Sequence, residues 1–194
     1  MNLHRVLLPL LLVLAGAGCV SLPYGAPPDT TDPWELIGSA RHWLQQGRPR
    51  AAVPSLERAQ VEVERLRADA AAYAHARAAI HNEYGRVYEM TSALEAAATQ
   101  FLQAAALAQG VPERRPLHFD ISYNLSTVYE RMGQPVQSCT QLDRVAALYR
   151  DLLARPAEPP AGYGDAGAAF LRDIAAPRIR ARAERLGCPL DLGE

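Results

Sequence analysis

The most constraining feature of this sequence is a six-position pattern that recurs three times with identical internal offsets. A small residue is followed by an aromatic three later, a turn residue four after that, and a second small residue five further on. A bulky apolar residue comes four later and a third small residue three beyond it. The first copy is Ala40, Trp43, Gly47, Ala52, Leu56, Ala59. The second is Gly85, Tyr88, Ser92, Ala97, Phe101, Ala104, and the third is Ser126, Tyr129, Gly133, Ser138, Leu142, Val145. Offsets of three and four are those of one helix face, so each copy reads as two helices joined by a tight turn. The small residues let antiparallel helices approach closely, and the aromatic and bulky residues fill the gap on either side. Glycine at the turn accepts the left-handed conformation that ends the first helix.

Composition agrees with helices and excludes much else. Alanine occurs 35 times, all 20 basic residues are arginine, and β-branched residues are thin. Ala, Leu, Arg, Gln and Glu are good helix formers, so a β-sandwich or a parallel-sheet enzyme is not expected. The formal net charge of −1 removes bulk electrostatic binding to nucleic acid or to an anionic membrane surface.

Punctuation places the helices. Asp32-Pro33-Trp34-Glu35 supplies an N-cap, a proline at the first helical position and an acid three after the cap. Gly47 ends that helix, and Arg48-Pro49 opens a second running to about Arg67. Asp69 caps a third over about 70–90. Ser92-Ala93-Leu94-Glu95 reads as a capping box for a fourth, ending near Gly110. Pro112 and Pro116 mark a loop. A fifth helix runs to Gly133, and Pro135 opens a sixth to about Ala154. Residues 155–164 are a Pro/Gly loop, and Asp165 caps a last helical stretch to Leu186, kinked or split by Pro177 and closed by Gly187.

The three copies resemble the tetratricopeptide repeat (TPR), most strongly in Asn124–Gly133 (NLSTVYERMG). They begin 45 and 41 residues apart (Ala40 to Gly85 to Ser126), against about 34 in that family. The resemblance implies an all-α fold: three TPR-like antiparallel helix pairs over 33–154, stacked as a short solenoid, with 165–194 as C-terminal capping helix and tail. A generic all-α bundle is the alternative. In the family the first helix of each pair lines a concave groove. The matching positions here are Trp34, Ile37, Arg41, Leu44 and Gln45; then Ala79, Asn82, Arg86, Glu89 and Met90; then Asp120, Tyr123, Thr127, Glu130 and Arg131. Among them Trp34, Arg41, Asn82, Arg86, Glu89, Tyr123, Thr127, Glu130 and Arg131 form the expected partner-binding groove, suited to an extended peptide, its backbone or a carboxylate. The lysines of the chaperone-tail carboxylate clamp are missing. The plainer alternative is a solvated helical layer.

The N-terminus has a second resemblance. Met1–Arg5 is a short basic n-region, Val6–Leu14 an apolar run of nine residues, and Ala15-Gly16-Ala17-Gly18 a small-residue stretch before Cys19. The run is too short to span a bilayer, which takes about 20 residues, but suits a secretory leader. The order resembles the lipobox of bacterial lipoproteins, although Gly16 stands where that motif usually has leucine. It implies a signal peptide over 1–18, lipid (palmitate included) on Cys19, and attachment to the membrane. Val20 after the cysteine implies the periplasmic side of the outer membrane. A soluble periplasmic protein with an ordinary cleaved leader is the alternative. Residues 19–32 read as an extended tether, which at about 3.1 Å per residue reaches roughly 40 Å.

With Cys19 lipidated, Cys139 and Cys188 remain in an oxidising compartment. Cys139, Leu142, Ala146, Tyr149 and Leu153 share one helix face. The last helix is its natural cover, so a Cys139–Cys188 disulfide is expected to clamp the cap to the last repeat. A buried free Cys139 with an exposed Cys188 is the other possibility. That helix also carries Arg178, Arg182 and Arg185, read as a solvated basic face. No catalytic motif is found, and neither a cofactor nor a metal is expected. His75 and His81 lie about 240° apart on one helix and cannot share a ligand face. His42, His118 and these two are read as surface or capping residues. The expected function is a non-catalytic protein–protein adaptor of a cell-envelope assembly machine, acting through the groove. The alternative is a structural subunit using the convex face.

Overall fold

The computed structural model describes residues 28–109, 115–154 and 169–193. The leader 1–18, Cys19, most of the 19–32 tether, the 155–164 loop and Asp165 lie outside them. Among the described residues every regular element is helical: α1 (Pro33–Gln45), α2 (Pro49–Glu62), α3 (Ala70–Met90), α4 (Leu94–Ala108), α5 (Arg115–Arg131), α6 (Pro135–Ala154) and α7 (Ala176–Leu186). A 3₁₀ turn, Val63–Leu66, extends α2, and a π turn, Leu171–Ala175, precedes α7 with Pro177 at its second position. None of the described helices is long and apolar enough to cross a membrane.

Local chemistry explains the starts. The Asp32 carboxylate accepts from the Trp34 amide at 2.9 Å, and Asp69 accepts from the amides of Ala71 and Ala72 at 3.0 and 2.9 Å. Two expectations are corrected. Ser92 is no capping box: α4 starts two residues after it, with Ala93 as an N-cap lacking any side-chain bond. Pro116 is not in the loop but is the second residue of α5, where the first turn needs no amide from it.

Within each pair the connection is three residues long and built the same way. Its second residue has positive φ: Gly47 at 71°, Ser92 at 63° and Gly133 at 69°. The following amide reaches back to the carbonyl of the aromatic position, Arg48 to Trp43 (3.0 Å), Ala93 to Tyr88 (2.9 Å) and Gln134 to Tyr129 (2.9 Å). This is the Schellman helix end, and it fixes the constant offsets of the sequence pattern. Gly187 and Cys188 close α7 in the same way, with φ 69° at the glycine and a 2.9 Å bond from Cys188 to the Ala183 carbonyl.

Consecutive helices pack, α1 on α2, α3 on α4 and α5 on α6, with α2 on α3 and α4 on α5 linking the pairs; α1 also touches α3, and α3 touches α5. The small positions sit at these contacts. Ala40, Ala52, Ala59, Ala97, Ala104, Ser126, Ser138 and Val145 are all fully buried (0% exposed). A Cβ on Gly85 would stand 2.5 Å from the Phe101 ring, so α3 and α4 approach as glycine alone permits. The aromatics differ among themselves. Trp43 and Tyr129 are half-buried and pack against the core as expected, whereas Tyr88 is exposed and does not fill the interhelix gap. On α6, the stripe from Leu142 to Tyr149 is covered by Ala176, Ile179 and Ala183 of the C-terminal segment. Cys139 and Cys188 are joined in a disulfide with their Cα atoms 5.5 Å apart.

Candidate partner-binding groove

The face made by α1, α3 and α5 carries the residues singled out from the repeat resemblance, and it is more self-satisfied than their types suggest. At its centre is a residue the sequence reading passed over, Glu83. Its side chain is 1% exposed, and Arg41 of α1 donates to Oε1 through Nε and Nη2 at 3.1 and 3.0 Å. Arg86 donates to Oε2 at 2.7 Å. A buried carboxylate needs such partners, since an unpaired charge in a low-dielectric site is costly. Arg41 and Arg86 therefore spend hydrogen bonds on the fold and not on a ligand carboxylate.

Asp120 of α5 lies beside this triad. Its side chain reaches water, yet the surrounding protein displaces enough solvent to push its carboxyl up to about 6; Arg41 and Arg86 oppose the rise and Glu83 adds to it. The quartet Arg41, Arg86, Glu83 and Asp120 balances two positive charges against two negative ones. Such a site suits hydrogen bonding to neutral peptide groups better than capture of an acid.

The other expected groove residues divide. Trp34 is 39% exposed and meets His75 edge-on, ring centroids 4.8 Å apart, so His75 is an aromatic support and not a bystander. Asn82 is 3% exposed and accepts from Asn124 Nδ2 at 3.1 Å, so it ties α3 to α5 and is not offered to a ligand. Glu89, largely buried and for that reason raised in pKa, is held by Arg131. Arg131 also donates to the Glu89 carbonyl at 2.9 Å and to Ser92 Oγ at 3.3 Å. Ile37 and Leu44 belong to the core.

The third pair's share of the face is covered from within. Arg182 of α7 lays its guanidinium over the Tyr123 ring at 4.4 Å. It also donates to Ser126 Oγ at 3.0 Å and to Thr127 Oγ1. Its Nε lies 3.1 Å from Glu130 Oε2, and Arg185 donates to Glu130 Oε1 at 2.8 Å. This corrects the reading of α7 as carrying a solvated basic stripe: Arg182, 12% exposed, is an internal wedge, while Arg178 does face solvent. Tyr123, Thr127 and Glu130 are thereby withdrawn from a partner as long as α7 is docked. What remains open on this face is Trp34, the outer edges of Arg41 and Arg86, Asp120 and Met90.

The signal for Glu83 was present in the sequence. It lies four residues after Ala79 and four before Val87, both buried, which places a charge inside an apolar stripe. Among the described residues no three His, Cys, Asp or Glu side chains gather as a metal site. Comparison with known proteins finds no matching family model, no similar curated protein and no similar solved structure.

Proposed function

We propose that this chain is a non-catalytic adaptor built from TPR-like helix pairs, binding an extended segment of a protein partner across α1, α3 and α5. The observation that carries the reading is the row of first helices, which carries exposed Trp34 on α1 and, on α5, exposed Asp120 beside the Glu83-centred triad. An aromatic anchor beside a charge-balanced, hydrogen-bonding surface fits a peptide held by its backbone and one large side chain. The leader and Cys19 support placement as a lipid-anchored protein on the periplasmic side of the outer membrane, serving an envelope assembly machine. The disulfide is compatible with an oxidising compartment.

The test is capture of a partner from solubilised envelopes by the tagged chain and by a Trp34→Ala/Asp120→Ala variant. Both substitutions fall on exposed side chains, so the fold is retained. Loss of the captured band in the variant is expected. Equal capture would transfer the role to the opposite face, as a structural subunit held by its convex side. For the anchor, Cys19→Ser should release the chain from membranes.

A further inference from the structure

The second helices of the first two pairs do not close against each other. α2 and α4 barely touch each other, each packing instead on α3. The result is a cleft of about 400 Å³ whose polar lining is Glu57, Gln60, His81, Tyr84, Tyr88 and Gln100. His81, Tyr84 and Tyr88 lie at i, i+3 and i+7 on α3, a stripe centred about 130° round the helix from that of Asn82, Arg86 and Glu89. The cleft thus opens on a different face of α3 from the candidate groove.

Its walls are fixed. His81 Nδ1 bonds Gln100 Oε1 at 2.8 Å, holding α3 to α4. The Tyr84 hydroxyl donates to Gln60 Oε1 at 3.4 Å, holding α3 to α2. Tyr88 remains 36% exposed at the mouth. The neighbouring Glu57 carboxylate acts on Tyr84, whose phenol is pushed up to about 12 by burial first and by Glu57 second, and so stays a donor throughout the physiological range.

Four glutamates of this half are paired with arginines, Glu62 with Arg65, Glu64 with Arg67, Glu83 with Arg41 and Arg86, and Glu89 with Arg131; Glu35, Glu57 and Glu95 are exposed, and of these three Glu57 alone lines the cleft. Glu57 has no such partner among the described residues. A carboxylate kept free, two phenol rings and neutral amide walls form a complement to a flat organic cation. A guanidinium satisfies all of it at once. Its planar face stacks on an aromatic ring, its fork of donors meets the carboxylate, and its aliphatic stem fits the apolar floor made by Val53 and Val87.

We propose that this cleft receives an arginine side chain of a protein partner, a second contact point independent of the groove. The full-length chain carrying ¹³C-labelled tyrosine is titrated with an acetyl-Gly-Arg-Gly-amide tripeptide and followed by NMR. The Tyr84 and Tyr88 ring signals should move saturably. The isosteric but neutral citrulline tripeptide should bind at least tenfold more weakly, as should the arginine peptide to Glu57→Gln. Tyr88→Ala should weaken binding several-fold. Absence of a saturable shift, equal binding of citrulline, or an unchanged affinity in Glu57→Gln would overturn the assignment. A lysine tripeptide binding as tightly would overturn the guanidinium preference. Trp34→Ala/Asp120→Ala should leave this titration unaltered, so failure here and failure of the groove reading are separable.

Discussion

In α3 and α4 the small position is a glycine, and the Phe101 ring lies against its Cα. In α5 and α6 it is Ser126, whose carbonyl accepts a 2.8 Å bond from the buried Ser138 hydroxyl. The two pairs share turn geometry and offsets but not cohesion. The first half closes by contact of small and apolar residues and by side-chain bonds such as His81 to Gln100, with Glu83 and its arginines bracing the first helices. The second half has wider small positions, and it adds a polar bond, the Arg182 wedge and a covalent link from α6 to the segment after α7. One pattern can specify helix pairing while the energy that secures each pair comes from different sources. Where shape complementarity weakens, directional bonds take over.

Breaking the disulfide should do the most to separate the halves. For residues 49 apart in sequence, chain entropy alone predicts a loss of about 4 kcal/mol in Cys139→Ala/Cys188→Ala. Hydrogen exchange should show α6 and α7 losing protection while α1–α4 keep theirs; uniform loss would mean the molecule is one cooperative unit. Next in size is Gly85→Ala. The added methyl meets a ring with no room to retreat, and overpacking of this kind costs about 1–3 kcal/mol. Phe101→Leu in the same chain should recover part of that loss in urea denaturation, whereas additive losses would place the strain elsewhere.

A smaller and opposite effect is expected at the turn. Ser92 alone among the three turn residues bears a side chain at positive φ. Ser92→Gly should therefore stabilise by up to about 1 kcal/mol, less the weak bond from Arg131. A destabilised variant would show that the Arg131 contact outweighs backbone strain. The smallest change concerns Asp120. Its carboxyl rises from 3.8 to about 6 on folding, so between those values the folded chain binds the proton more tightly than the unfolded one. The favourable contribution is present below about pH 4 and is lost as pH rises to about 6. Asp120→Asn should flatten that slope and raise stability at pH 7 by less than about 1 kcal/mol, given the solvent around the side chain. A slope that persists would assign the titration to another group.

Helix positions were legible because their signals are local. Asp32 and Asp69 cap as their sequence contexts indicate, and Gly47, Gly133 and Gly187 mark ends through backbone conformation. Ser92 carried two competing local signals, a cap and a turn, and the left-handed turn prevailed. The fate of charged residues was much less legible. Arg182 looks like a surface residue on an amphipathic helix, and the apolar stripe around Glu83 marks it as buried without naming what pairs with it. Their burial depends on partners 56 and 42 positions away, Ser126 and Arg41, and no local periodicity reports those distances. The cleft at Glu57 was missed for the same reason: it is made by the failure of two helices to meet.

The bond between Cys139 and Cys188 also has a topological consequence. It turns the intervening stretch into a closed ring of main chain. A single peptide-bond cut anywhere inside that ring yields two pieces that stay joined through sulfur and migrate as one until a thiol reductant is added. One protease nick there cannot release α7, so the Arg182 wedge is protected against clipping in a way that neither its hydrogen bonds nor its burial could achieve.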